Sequence, residues 1–270
     1  MLTEKIILPN QTECIIYSEN KESQQTNPIA IYFHGGGLIY GSKNDLPHSL
    51  IKTFLKKGIN IISIDYFLAP NSSISTIIKD TFTTVDILIH QLFPNQSYLL
   101  IGRSSGSFLM FQTMQLIIQN GVRFPSRLIN FYGYANLEHL HKHQNIFPSD
   151  EFKNFDFELP IKDDPTFERF ILYKEALDSQ SLNSLLNLTA NDSKKFIITD
   201  DILQQFPPSF HTASTTDKEV PFLNSKNLSK KIPNSLLVPV YYLEHDFLKV
   251  NHPEVAKVFL SLEEWLDSVF

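Results

Sequence analysis

Short runs rich in Ile, Leu, Tyr and Phe alternate along this chain with longer stretches whose apolar residues recur every three or four positions. That alternation constrains the fold more than any other feature. Runs of the first kind read as strands and stretches of the second as helical crossovers, so the pattern predicts an α/β architecture with a mostly parallel central sheet flanked by helices. The strands fall at residues 5–8, 13–17, 29–33, 59–64, 98–101, 127–131, 209–213 and 235–243. Several are apolar on both faces, as strands covered by helices on each side must be. Nothing of helical length separates the first two, which predicts an antiparallel pair at one edge.

Between residues 75 and 93 the positions Ile77, Ile78, Phe82, Val85, Leu88, Ile89 and Leu92 keep the period of a helix with one buried face. Helices ending near Lys57 and Asn120 are each followed by a glycine, Gly58 and Gly121, where a left-handed residue closes the last turn. The helix after Ser105 is apolar nearly all round, through Phe108, Leu109, Phe111, Met114, Leu116 and Ile117, so it belongs in the centre of the molecule. The strand rhythm stops from about residue 135 to 205, a segment with six phenylalanines between Phe147 and Phe170. It reads as a cap inserted into a single domain spanning residues 1–270. Within it, Asp164-Pro165 offers a capping residue and a helix-starting proline ahead of Phe167, Phe170, Ile171, Tyr173, Ala176 and Leu177. The polar stretch 18–27 reads as a loop.

Composition excludes several classes. A net charge of −6 and no more than two consecutive basic residues argue against a nucleic-acid partner. The lone Cys14 can form neither an internal disulfide nor a thiolate zinc site, which fits a reducing compartment. Glu4 and Lys5 stand where a secretory apolar region would lie, and nowhere do eighteen apolar residues run together. The expectation is a soluble cytoplasmic protein with no membrane span. The oligomeric state is left open.

Glycine is scarce, nine in all, yet five of the nine stand in two places: Gly35, Gly36 and Gly37 after His34, and Gly102 and Gly106 around Ser104. Lacking a Cβ, glycine lets backbone approach a ligand or take a strained turn. Gly102-Arg103-Ser104-Ser105-Gly106 lies between a predicted strand and the central helix, the setting in which a sharp turn lifts a serine hydroxyl into a cleft. With 25 serines in the chain such a match arises by chance about 0.03 times. The bland account is a tight strand-to-helix turn whose glycines serve packing alone. His34-Gly35-Gly36-Gly37 follows another strand, and its successive amides can converge on a developing negative oxygen. A flexible hairpin is the plain alternative. A phosphate loop is disfavoured because Leu38-Ile39-Tyr40 continues apolar, without the lysine of such loops. His34 reads as a brace for the loop.

These two motifs resemble those of the α/β-hydrolase superfamily, and within it the hormone-sensitive-lipase-type esterases, over most of the chain outside the cap. Asp65-Tyr66-Phe67-Leu68-Ala69-Pro70 is similar to that family's DYRLAP segment, with Phe67 in place of arginine. Two departures stand out: Arg103 precedes the serine where those esterases usually carry Asp, and their N-terminal helical cap is absent. The resemblance implies an α/β-hydrolase fold and a serine hydrolase.

A serine hydroxyl needs an imidazole to take its proton and a carboxylate to orient that imidazole, in the chain order Ser, acid, His on this fold. The resemblance points to Asp217, in the loop after the strand at 209–213, as the acid. Glu219 in the same loop is an alternative, while Asp200 and Asp201 precede the strand and read as helix-capping residues. Glu244-His245-Asp246-Phe247 resembles the segment that carries the base in many such enzymes, so His245 is the candidate base. His252 reads as the start of the last helix, and His211 falls inside a strand. The amides of Gly35, Gly36 and Ser105 form the expected oxyanion hole. The alternating His139, His141 and His143 suggest metal ligands, but Lys142 among them favours a solvated loop, so no metal is assigned. No cofactor is required.

The phenylalanines pack the cap on the body and partly line the entrance, implying a small-molecule ester substrate with an apolar portion. The first expectation is therefore a carboxylesterase for small or medium acyl esters. The alternatives are a serine peptidase of the prolyl-oligopeptidase type and a catalytically silent ligand-binding protein on the same fold.

Overall fold

The computed structural model describes residues 1–140, 155–188 and 192–268. The eight predicted strands all form: β1 (Leu2–Ile7), β2 (Glu13–Ser18), β3 (Ile29–Phe33), β4 (Asn60–Ile64), β5 (Tyr98–Arg103), β6 (Leu128–Phe131), β7 (Ser209–Ser214) and β8 (Leu236–Val240). They make one sheet in the order β1-β2-β4-β3-β5-β6-β7-β8. β1 pairs antiparallel with β2 and β2 antiparallel with β4, while every other pair is parallel. The expected antiparallel start and parallel remainder are both present.

β3 and β5 to β7 are buried along their whole length because helices cover both faces. On one face lie α3 (Ile74–Ile87), α4 (Ser105–Asn120) and α8 (Phe222–Lys231), which enclose a core including Ile77, Phe108 and Leu228. On the other, α2 (His48–Lys56) and α9 (Pro253–Asp267) pack Leu50, Phe54, Val258 and Leu262 against Ile61, Ile101 and Val238. α4 is buried through its first ten residues, as its all-round apolar sequence requires. Gly121 closes α4 at φ 63° and Gly58 follows α2 at φ 65°, the left-handed geometry read from the sequence.

Two expectations need correction. Residues 18–27 do not run as a loop: Lys21–Thr26 forms the short helix α1, because Asn20 and Ser23 cap it reciprocally, each side chain bonding the other's amide at 2.9 and 3.0 Å. In the inserted segment the helix α5 starts at Phe170 and not at Pro165, running Phe170–Asp178. Phe167 stands at φ 56°, outside the right-handed helical region, and the Asp164 carboxylate accepts from the Arg169 amide at 3.2 Å. The acceptor expected at the start of the helix therefore organises a turn ahead of it.

Among the described residues the segment between β6 and β7 carries no strand, only helical turns with α5, α6 (Leu182–Leu185) and α7 (Asp200–Leu203). Thr199 occupies the N-cap position of α7, so Asp200 and Asp201 sit in its first turn, where their charge favours the helix dipole. Phe147 and Phe152 lie outside the described residues; Phe155 and Phe157 pack on the core, and Phe170 meets Tyr40 at 5.4 Å between ring centroids. Among the described residues no helix is long and apolar enough to cross a membrane.

Phe111 is fully buried on α4 and stacks toward Phe206 and His211. Phe111→Ala is expected to cost about 3–5 kcal/mol of unfolding free energy, measured by urea titration, since the cavity cannot be refilled by the rigid sheet.

Candidate active site

The register of the parallel strands decides what meets at the sheet's carboxyl edge. Phe33 of β3 lies opposite Gly102 of β5, Arg103 opposite Phe131 of β6, and Ser214 of β7 opposite Val240 of β8. The chain leaves each strand along the same edge, so the glycine run, Ser104, Tyr132, the loop after β7 and the loop after β8 are neighbours.

Ser104 sits at φ 53° and ψ −122°, a conformation costing about 1–3 kcal/mol that persists only where the surroundings fix it. Its amide donates to Phe131 O at 2.9 Å, and its carbonyl accepts from the Ser107 amide at 2.9 Å. The flanking glycines are required by space. A Cβ on Gly102 would come within 2.3 Å of Ser107 Cα, and one on Gly106 within 2.2 Å of Phe33 O.

The glycine run is equally constrained. Gly36 stands at φ 114°, where a Cβ would lie 2.0 Å from Tyr40 O, and a Cβ on Gly35 would approach Ser104 Cβ to 3.4 Å. Among the described residues the amides of Gly35, Gly36 and Ser105 donate to no acceptor. The run is braced from behind by residues 65–70. Tyr66 stacks on His34 at 4.1 Å and donates to His34 O at 2.8 Å, and the Ala69 amide donates to Leu38 O at 2.7 Å. Asp65 holds the turn beyond the run, accepting from the Lys43 amide at 2.7 Å and its ammonium at 2.6 Å. His34 is fully buried, and burial pushes its pKa down to about 4, so a neutral ring supports the loop.

His245 lies between the serine and a carboxylate. Its Nδ1 is 2.6 Å from Asp217 Oδ2 and its Nε2 2.8 Å from Ser104 Oγ. Asp217 is itself positioned by the amides of Glu219 and Val220, both donating to Oδ1 at 2.9 Å. Burial alone would lower the pKa of the imidazole. The hydrogen bond to Asp217 and the carboxylates of Asp217, Glu219 and Asp246 outweigh it and raise the ring above the ordinary 6.5. Since Asp217 can only accept, Nδ1 carries the proton and the neutral ring's Nε2 is free to accept from Ser104.

The weaker candidates are elsewhere. Glu219 accepts from Tyr173 Oη at 2.7 Å and does not bond His245. His252 caps α9, accepting from the Glu254 amide at 3.2 Å. His211 is buried in β7 beside Asn130, and burial takes its pKa down to about 3. His141 and His143 lie outside the described residues. No group of three or more His, Cys, Asp or Glu among the described residues can hold a metal.

Ser104 opens onto two clefts. One, about 700 Å³, is lined by Tyr134, Leu177, Leu182, Leu186 and Val220 among others; the second, about 330 Å³, includes Gly35, Gly36, Phe170 and His245. Tyr173 and Glu219 border both. Tyr132, whose ring meets His245 edge-on at 5.0 Å, was not singled out by sequence, although its place directly after β6 marks the same edge. Arg103 carried a signal that went unused: a guanidinium ending a fully buried strand must have counter-charges nearby.

Comparison with known proteins follows the same lines. The sequence profile of the alpha/beta hydrolase fold matches residues 30–218. An alpha/beta hydrolase superfamily protein from Enterococcus faecalis superposes with a TM-score of 0.89 at 36% identity, covering 98% of each chain. Two curated relatives match shorter stretches. A versiconal hemiacetal acetate esterase of Emericella nidulans is 30% identical over 96 residues, 35% of this chain and 33% of that protein. A non-reducing polyketide synthase of Aspergillus novofumigatus is 28% identical over 127 residues, 43% of this chain and 6% of that protein. The chain thus spans a third or less of the length of either.

The serine turn depends on backbone contact at Gly106, where a Cβ meets Phe33 O at 2.2 Å and His34 O at 2.3 Å. Gly106→Ala is expected to lose about 3 kcal/mol or more, read as a large drop in Tm, because the start of α4 and the end of β3 must part to admit one methyl group.

Proposed function

The chain belongs to the alpha/beta hydrolase fold family, and from that membership we propose that it is a serine carboxylesterase acting on small-molecule esters with small or medium acyl groups. The observation that carries this reading is the unbroken hydrogen-bonded line from Asp217 through His245 to Ser104, at 2.6 and 2.8 Å. The Emericella nidulans relative, named an esterase, supports the same chemistry.

In this reading Ser104 Oγ attacks the ester carbonyl carbon while His245 Nε2 takes its proton. Asp217 steadies the imidazolium that forms. The carbonyl oxygen becomes an oxyanion held by the amides of Gly35, Gly36 and Ser105, donors with no competing partner among the described residues. Collapse breaks the bond to the alcohol oxygen, which leaves with the proton from His245. Water then attacks the acyl-enzyme, giving its proton to His245, and the acid departs as Ser104 regains its hydrogen. The described residues of the segment between β6 and β7 serve as the cap, and the leucines and Val220 of the larger cleft accept the apolar portion. The chemistry is complete without a cofactor.

A fluorophosphonate probe is expected to label the wild-type protein and not Ser104→Ala, and the variant's hydrolysis of p-nitrophenyl butyrate should fall by about four powers of ten or more. Labelling that persists in Ser104→Ala, or is absent from the wild type, overturns the reading. Cleavage of short chromogenic peptides in preference to esters would replace it with the peptidase alternative.

The pH dependence follows from the sign of the His245 shift. The base must be neutral to accept a proton, and its pKa lies above 6.5, so kcat/KM should fall with decreasing pH through a midpoint above that value. A pH-rate profile with its acid limb below 6.5 contradicts the assignment of His245.

A further inference from the structure

Arg103, beside the serine, and Asp246, beside the imidazole, both line the smaller cleft and lie 3.4 Å apart. We propose that Arg103 is a positioning residue that ties the serine turn to the histidine loop through a closed ring of four charges. The proposal rests on the roles given above to Ser104 and His245.

The Arg103 side chain is 5% exposed, and its Nη2 pairs with Asp45 Oδ2 while Nη1 lies 3.4 Å from Asp246 Oδ1. Lys249 closes the ring, its Nζ 2.7 Å from Asp45 Oδ1 and 3.0 Å from Asp246 Oδ2. Arg103 and Asp45 lie deep while Asp246 and Lys249 reach the surface; the two cations and two carboxylates balance, so the buried guanidinium and carboxylate are each paired. Each member stands on a segment that carries another part of the site. Asp45 ends the short turn Lys43–Asp45 after the glycine run, Arg103 precedes Ser104, and Asp246 and Lys249 follow His245. Asp246 also accepts from Tyr132 Oη at 2.8 Å, and that ring is the edge-on neighbour of His245. The imidazole is thus held by Asp217 at Nδ1, by Tyr132 at its side and by the ring through its own backbone.

The ring also sets the field on the imidazole. The charged groups around it are Asp217 and Glu219 from the loop after β7, Asp246 and Glu244 from its own loop, and Arg103 from β5; Lys218 pairs with Glu244 at 3.9 Å in solvent. Arg103 and Lys249 offset Asp45 and Asp246. Without Arg103 the ring keeps one net negative charge, which favours the imidazolium; with Asn at 246 it keeps one net positive charge, which disfavours it. A purely structural brace gives no such opposition of sign.

The test compares Arg103→Gln, Asp246→Asn, the double variant and Arg103→Lys, using the pH dependence of p-nitrophenyl butyrate hydrolysis and, independently of turnover, NMR titration of the His245 ring. Arg103→Gln should lower kcat about tenfold or more with little change in KM. It should move the acid limb and the ring's midpoint up by about half a pH unit, while Asp246→Asn moves them down by a similar amount and the double variant returns near the wild type. Arg103→Lys keeps the charge and should restore the midpoint without full kcat. If Arg103→Gln does not fold, the exposed Lys249→Met takes its place with the same upward sign. Shifts in the same direction, or no shift in either single variant, overturn the proposal. A wild type that hydrolyses no ester overturns the esterase reading instead, and opposite NMR shifts still uphold the charge ring.

Discussion

Everything at the functional edge depends on how closely the start of α4 can approach the end of β3. Gly106 lies against the carbonyls of Phe33 and His34, and Gly102 against the backbone of Ser107, at distances that leave no room for a Cβ. This contact presses the strained Ser104 turn against the loop that begins at Gly35. It also fixes the spacing between a hydroxyl on one strand's exit and free amides on the next. The fully buried parallel pairing of β3 with β5 supplies the rigidity that holds the strain.

A second layer acts on the imidazole. The loop after β7 brings Asp217 to Nδ1, and two backbone amides hold that carboxylate in line. Its remaining surroundings are charged, and Arg103 and Lys249 pair with Asp45 and Asp246 and offset part of their field on the imidazole. Burial and carboxylates act on His245 in opposite directions, and the carboxylates prevail. The nearby His34 and His211 show the contrary balance: each is buried without a carboxylate bonded to its ring, and each is driven well below the ordinary range. Three histidines of one sheet and its exit loops, His34 after β3, His211 inside β7 and His245 after β8, thus have different proton affinities, set by what each one faces.

Elements with strong periodicity were legible from the chain. All eight strands and the helices α3 and α4 could be placed because burial on one or two faces leaves a local pattern. The misreadings came where short-range hydrogen bonds compete with pattern. The polar stretch after β2 became α1 through a reciprocal cap between Asn20 and Ser23, a signal of two residues in a segment without apolar period. The Asp164-Pro165 signature was present but led into a turn, since Phe167 adopted a left-handed conformation that no side-chain pattern announces. The segment at 65–70, recognisable by resemblance and chemically silent by itself, proved to be the scaffold of the glycine run through Tyr66 and Ala69.

The sequence by itself determined the layered α/β plan, the serine turn and the glycine run, because each is written in residues close together: strand rhythm, helical period, and glycines that only a crowded backbone requires. It also proposed Asp217 and His245 by chain order. What only the tertiary structure decided is which distant side chains share a distance of a few ångströms. Asp217 over Glu219, the support of Tyr132, and the pairing of Arg103 with Asp45 and Asp246 all depend on strand register and loop path. Hydrogen bonds and ion pairs fall off within a few ångströms, and the separations that matter to them are set by the whole packed sheet, not by spacing along the chain.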